Sequence, residues 1–220
     1  MKILGVGNLV TDHYFKNGQF IGACGGMTAF NIIANLSANF ETYAIGLCGQ
    51  DTDGKIAIKS LEDLGVNTQY VEKSEDYTRC FNVDINDNYI ISKKRCPICS
   101  RKKWYVESSG KIFLPKELLE EEKTIIVFDT VNNENITLAS EARENHCITV
   151  IDIGYTEELE NLSTKQINEM LKYKFNYIQL NERVAKFLLE KFNFKNNKEL
   201  NELFCANMII ITYGKRGVEF

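Results

Sequence analysis

TIIVFDTVNNENITLASEARENHCITVIDI (124–153) is the stretch that decides the fold. It opens (124–130) and closes (147–153) on short apolar runs rich in Ile and Val, and between them ITLASEARENH (136–146) spaces its apolar residues as one face of a helix does. Short β-branched runs bounded by polar loops are buried strands. A strand, a helix and a strand in that order lay the two strands parallel, because the crossover returns the chain to the same end of the sheet. The alternation continues outward. KILGVGN (2–8) and TYAIGLCG (42–49) read as strands, with helices at AFNIIANLSANF (29–40) and at DGKIAIKSLEDLG (53–65), the latter closed by Gly65. On the other side, STKQINEMLKYK (163–174) and NERVAKFLLEKF (181–192) read as helices, and NYIQLN (176–181) and MIIIT (208–212) as strands. This order predicts an α/β sandwich around a parallel sheet.

Two stretches break the rhythm. HYFKNGQFIGA (13–23) centres on Asn17-Gly18, a hairpin signal, and residues 77–106 alternate around Asn86-Asp87-Asn88. Both predict a small β layer on the side of the α/β core, an insertion of the type that serves as a lid. With two prolines and no repeat or low-complexity tract, the chain reads as one domain over 1–220 with lid segments at about 13–23 and 77–106. Only YGKRGVEF follows the strand MIIIT, too little to flank and cover it, so the sequence reads as cut short.

Composition removes several function classes. With 44% hydrophobic and 25% charged residues, the 220-residue chain can bury a sizeable core and is not a disordered segment. A net charge of −4 with scattered Lys and Arg lacks the basic stripe of a nucleic-acid binder. Asp12 and His13 interrupt the opening apolar run before a signal sequence could form, and no apolar stretch reaches the roughly 18 residues of a membrane span. Seven cysteines, an odd number set mostly in apolar contexts, fit reduced thiols in a soluble cytoplasmic protein.

Several motifs fail on inspection. Gly5-Val6-Gly7 has Val10 where a dinucleotide fingerprint needs glycine. Residues 49–55 have P-loop spacing as far as Lys55, but Ile56 cannot ligate a metal, and Asp51 and Asp53 would repel phosphate. Asp84–Asn88 begins like a calcium loop, yet Tyr89 and Arg95 stand where Gly and Glu are needed. The histidines are His13 and His146, and His146 ends a predicted helix, where it complements the dipole. Cys96-Pro97-Ile98-Cys99 has zinc-knuckle spacing with Cys80 in the same β region, one thiol short of a tetrahedral set. A symmetric dimer would supply a second pair; a hairpin with reduced thiols fits equally well. The neighbouring Arg95, Arg101, Lys102 and Lys103 read as a solvated face.

Other segments, in order, carry a resemblance. LGVGNLVTD (4–12) is a strand followed by an Asp; Gly25-Gly26 lead into a helix bearing Asn31; IGLCGQDTDGKIAIKSLEDLGVNT (45–68) contains a G-x-D-x-x-G run. YIQLNERVAKFL (177–188) is an Asn-Glu junction between strand and helix, and IIITYGKRGVEF (209–220) holds a T-x-G-x-x-G loop. Together they resemble the ribokinase-like (PfkB) family of carbohydrate kinases over the whole chain. The resemblance implies a three-layer α/β/α sandwich with a small β-sheet lid, and ATP-dependent phosphorylation of a sugar hydroxyl. It implies ATP and Mg²⁺, with room for a monovalent cation, and a lid on which a homodimer could form. A nucleoside kinase or a non-catalytic sugar- or nucleotide-binding relative stands as the alternative. The acceptor side falls on Asp12, Gly25, Gly26 and Asn31, and the ATP side on Asn181, Thr212, Gly214, Lys215 and Gly217.

These residue types suit the task. A carboxylate at a strand end accepts hydrogen bonds from two vicinal hydroxyls, a glycine pair lets backbone approach a sugar, and an Asn both donates and accepts. The chain also departs from the family. Asn31 lies one residue further from the glycine pair than in many relatives, and Val184 stands where N-x-x-E would put a Glu. The family's Gly-Ala-Gly-Asp segment, which supplies the catalytic base and an anion hole at a helix start, does not occur in these 220 residues. Phosphoryl transfer rests on that positioning and charge stabilisation. The expectation is therefore that residues 1–220 by themselves are inactive, with the catalytic residues beyond Phe220.

Overall fold

The computed structural model describes residues 1–86, 89–92, 110–120 and 123–220. Its contacts divide the chain into two compact units, Gly5–Phe113 and a second made of Met1–Leu4 with Leu114–Phe220. The first strand, β1 (Lys2–Asn8), contributes residues to each.

The Gly5–Phe113 unit continues with β2 (Val10–Lys16), β3 (Gln19–Gly26), α1 (Thr28–Leu36), β4 (Glu41–Gly49), α2 (Thr52–Glu62), β5 (Asn67–Ser74), β6 (Arg79–Ile85) and β7 (Tyr89–Ser92). Here β1 borders β4, and β4 pairs with β5 in parallel. A separate four-stranded sheet has the order β3-β2-β6-β7, with β2 antiparallel to β3 and parallel to β6. This is the small β layer expected from the hairpin signals. Asn17 (φ 52) and Gly18 (φ 76) form its first turn, both with the positive φ that a two-residue hairpin turn demands. One face of this sheet packs on α2. Cys96, Cys99 and the basic residues Arg95, Arg101, Lys102 and Lys103 lie outside the described residues.

The Leu114–Phe220 segment folds as α3 (Lys116–Leu119), β8 (Thr124–Phe128), α4 (Asn133–Glu144), β9 (Ile148–Ile153), α5 (Thr164–Leu171), β10 (Tyr177–Asn181), α6 (Glu182–Phe192), α7 (Asn197–Phe204), β11 (Met208–Thr212) and β12 (Val218–Glu219). The strands run β8-β9-β10-β11-β12, all parallel apart from the antiparallel edge strand β12. The stretch 124–153 is a parallel β–α–β unit, as its alternation predicts. Ile126, Ile151, Leu180, Leu188 and Phe204 are fully or almost fully buried, and Phe128 meets Phe175 edge-on at 5.9 Å between centroids.

Helix starts differ from the sequence expectation for a specific reason. α4 begins at Asn133 rather than 136 because the side chain of Asn132 accepts from Asn135 N at 2.8 Å. Such a cap satisfies a donor that would otherwise be orphaned, and is worth about 1 kcal/mol. At the other end Gly65 (φ 84) closes α2 as expected, with Gly65 N donating to Glu62 O at 2.9 Å and Val66 N to Leu61 O at 3.0 Å. The residues after MIIIT form β12, which flanks β11 and corrects the expectation that nothing does. Among the described residues no helix is long and apolar enough to cross a membrane.

Candidate active site

The strand period of two sets the acceptor side. On β2, Thr11, His13 and Phe15 are buried, whereas Asp12 and Tyr14 are only half-buried on the opposite face. Register places Asp12 opposite Cys24 and Val10 opposite Gly26, so Gly26 shares the Asp12 face, while Gly25 faces α2 with Thr11. The two adjacent glycines are therefore needed for different reasons. A Cβ on Gly26 would come within 2.5 Å of Asp12 Oδ2; a Cβ on Gly25 would crowd the carbonyl of Ala57 at 3.1 Å. Gly25 N also donates to Ser60 Oγ of α2 at 2.9 Å. The carboxylate of Asp12 lies against bare backbone, and burial pushes its pKa up to about 6 against a partial counter-pull from His13. Asn31 sits one turn into α1, exposed, after Met27 turns the chain with φ 81.

The G-x-D-x-x-G run has a structural task that its spacing did not reveal. Asp51 caps α2, accepting from Gly54 N at 2.9 Å, and also accepts from Thr78 Oγ1 at 2.7 Å and Thr78 N at 3.0 Å. Thr78 Oγ1 in turn accepts from Gly49 N at 2.9 Å. One carboxylate thus ties the end of β4, the start of α2 and the entry to β6. Asp53, two residues on, is buried against His13 and Cys80. The P-loop reading fails here for a further reason: both acids are already engaged.

The candidate nucleotide side lies in the other unit, at the carboxyl ends of parallel strands, where open α/β sheets bind ligands. Asn181 and Thr212 are register partners at the ends of β10 and β11. The side chain of Asn181 caps α6 by accepting from Val184 N at 3.0 Å, and donates to Gly154 O at 2.7 Å. Thr212–Gly217 leaves β11 through a tight hairpin, with Tyr213 N donating to Gly217 O at 2.9 Å and Gly214–Arg216 forming one 3₁₀ turn. Gly214, Lys215 and Gly217 are exposed, and Arg216 forms an ion pair with Glu182, the residue after Asn181. Asp152, near the end of β9, is buried and accepts from Gln179 Nε2 at 2.9 Å. Neither Asp152 nor Gln179 belongs to a recognisable motif, so spacing could not have found them.

Comparison with known proteins gives the family and the fold. The family model for pfkB family carbohydrate kinases matches residues 22–220. Among solved structures, a fructokinase with bound ATP from Xylella fastidiosa aligns with TM-score 0.75 at 14% identity, covering 99% of this chain and 72% of that one. An uncharacterized sugar kinase from Pyrococcus horikoshii aligns with TM-score 0.72 at 16% identity, covering 98% of this chain and 75% of that one. An aminoimidazole riboside kinase from Salmonella enterica, in complex with its riboside and an ATP analog, aligns with TM-score 0.68 at 17% identity, covering 99% and 72%. At such identities the likeness is one of fold. A search of curated proteins finds no match.

Proposed function

The chain belongs to the pfkB family of carbohydrate kinases, and on that premise we propose that it holds a sugar for phosphorylation of one hydroxyl by ATP. Asp12 grips vicinal hydroxyls, Gly26 leaves the space in which that carboxylate lies, Gly25 seats the strand on α2, and Asn31 addresses a further hydroxyl. Asn181 and the Thr212–Gly217 loop address ATP, with Lys215 available to the phosphates. One observation carries the reading: a carboxylate that burial holds near pKa 6 rests on glycine backbone, on the sheet face turned away from α2. A partly desolvated carboxylate makes stronger hydrogen bonds to hydroxyl donors than a neutral acceptor or a fully solvated carboxylate would.

Mg²⁺, when bound, neutralises charge on the phosphates. It takes oxygen ligands and keeps several waters. Asp152 is a donor of that kind, whereas Glu182 is committed to Arg216. Residues 1–220 contain no Gly-Ala-Gly-Asp segment, and a missing general base alone costs about 10²–10⁴ in rate. By themselves these residues bind substrates and turn them over negligibly.

Calorimetric titration of the 220-residue chain with hexoses, pentoses and nucleosides tests the acceptor side. A sugar should bind, and Asp12→Ala should weaken that binding by about 10- to 100-fold, the worth of hydrogen bonds to a charged group. Unchanged affinity in Asp12→Ala ends the reading, and preferential binding of a nucleoside replaces the acceptor class. ADP release by the 220-residue chain with sugar and ATP would refute the inactivity.

A further inference from the structure

We propose that His13, Asp53 and Cys80 form a binding site for one divalent transition-metal ion, best suited to Zn²⁺, that fastens the small sheet to α2. The three side chains come from three elements: β2, the first turn of α2, and β6. His13 Nε2 lies 2.7 Å from Asp53 Oδ1, and Cys80 Sγ lies 2.7 Å from Asp53 Oδ2. The three ligand atoms fall within 4.8 Å of one another, and the residues are 3%, 7% and 0% exposed. Asp53 is fixed from behind as well, since Thr11 Oγ1 donates to its backbone carbonyl at 2.7 Å.

The donor set selects the metal. One imidazole nitrogen, one carboxylate oxygen and one thiolate sulfur are a zinc set, whereas Mg²⁺ and Ca²⁺ take oxygen and reject sulfur. Zinc bonds of about 2.0–2.3 Å to these atoms require the ligands to spread by roughly an ångström from their present hydrogen-bonded spacing. Among the described residues three side chains supply ligands, and the site as proposed takes a water in the fourth tetrahedral position. Burying a carboxylate, an imidazole and a thiol together is costly where apolar side chains would pack; a dication at their centre supplies the compensation. Loading replaces protons: the Cys80 thiol proton goes to solvent, and a neutral His13 shifts its proton from Nε2 to Nδ1. An imidazolium would release one proton more. The site as proposed uses neither Cys96 nor Cys99, and it stands whether or not the acceptor reading above holds.

Co²⁺ as a zinc surrogate gives the test. Chelator-stripped protein titrated with Co²⁺ should take up one ion per chain and develop the visible bands of a tetrahedral site together with a thiolate-to-cobalt charge-transfer band, all lost on adding Zn²⁺. The double variant Cys96→Ser/Cys99→Ser should keep these bands, while Cys80→Ala and His13→Gln, checked for folding by circular dichroism, should lose them. Loss of the bands in the Cys96/Cys99 double variant, their survival in folded Cys80→Ala, or their absence from the wild type overturns the site. Should Cys80→Ala and His13→Gln both fail to fold, the near-isosteric Cys80→Ser carries the test: it should lose the charge-transfer band, and survival of that band overturns the site.

Discussion

The crowded strand glycines Gly26 and Gly46 and the glycines of the Thr212–Gly217 loop are needed for opposite physical reasons. At Gly26, and at Gly46 on β4 of the same unit, the missing Cβ is a matter of space. Gly26 has Asp12 Oδ2 2.5 Å from where its Cβ would lie, and Gly46 has the carbonyl oxygen of Gly7 at 1.8 Å. In the loop the matter is angle: a Cβ on Gly214 or Gly217 would meet nothing within 4 Å, but their φ values are 58 and 100. A proposed acceptor pocket made of crowded backbone is rigid and intolerant of substitution. A proposed nucleotide loop made of open, turned backbone keeps its shape through torsion preferences alone, so its sequence can vary wherever the torsion is respected.

The largest effect expected from this contrast is at Gly46. Alanine there would drive Cβ into a neighbouring strand's carbonyl, and backbone cannot step aside as a side chain can. Overpacking typically costs 1–3 kcal/mol and occasionally more; Gly46→Ala should fall at or beyond about 3 kcal/mol, measured by urea unfolding. A loss under about 1 kcal/mol would mean that space is not what fixes glycine at this position.

Asp12 offers a middle-sized effect with a sign that can be worked out. Its carboxyl is raised from 3.8 to about 6 by burial, so the folded chain binds this proton more tightly than the unfolded chain does. Stability contributed by the group is complete below pH 3.8 and is lost as pH rises through about 6. Asp12→Asn should therefore stabilise the protein by on the order of 1–3 kcal/mol at about pH 8, with the gain vanishing toward pH 4. Thermal unfolding in the presence of chelator, which keeps His13 metal-free, reads it. A variant no more stable at alkaline pH would show that the carboxylate carries no burial penalty, and would weaken the case that it is kept for binding.

What the sequence carries is uneven in the same way. The β–α–β of 124–153 and the Asn17-Gly18 hairpin are legible because their signals are local: apolar period, and residues able to take positive φ. Asp12 and the glycine pair are legible as a group, but their division of labour is not. That Gly25 faces α2 and Gly26 faces Asp12 follows from the pairing of β2 with β3, which no single strand records. β5 escapes because NTQYVEKS is mostly polar and half-exposed, with no clean alternation. His13, Asp53 and Cys80 are separated by 40 and 27 residues; nothing in such spacing marks them as neighbours. Asp51 and Asp53, weighed in sequence only as charges hostile to phosphate, are in three dimensions the cap and the buried anchor of one helix.

The smallest effects divide the loop's two glycines from each other. Gly214, with φ 58, occupies the left-handed region that Asn tolerates, and the chain itself places Asn17 at 52 and Asn193 at 56. Gly214→Asn should change stability by less than about 0.5 kcal/mol, the usual range for an exposed substitution. Gly217, with φ 100 and ψ −148, lies in a region that only glycine enters readily, and Gly217→Asn should cost about 1–3 kcal/mol. Denaturant midpoints of the two variants, taken side by side, measure the difference. The order matters more than either value: torsion is all that distinguishes these exposed positions, so equal losses would mean that Gly214 is held by a contact rather than by its angle, and the contrast between crowded and open glycine would fail where it is most easily tested.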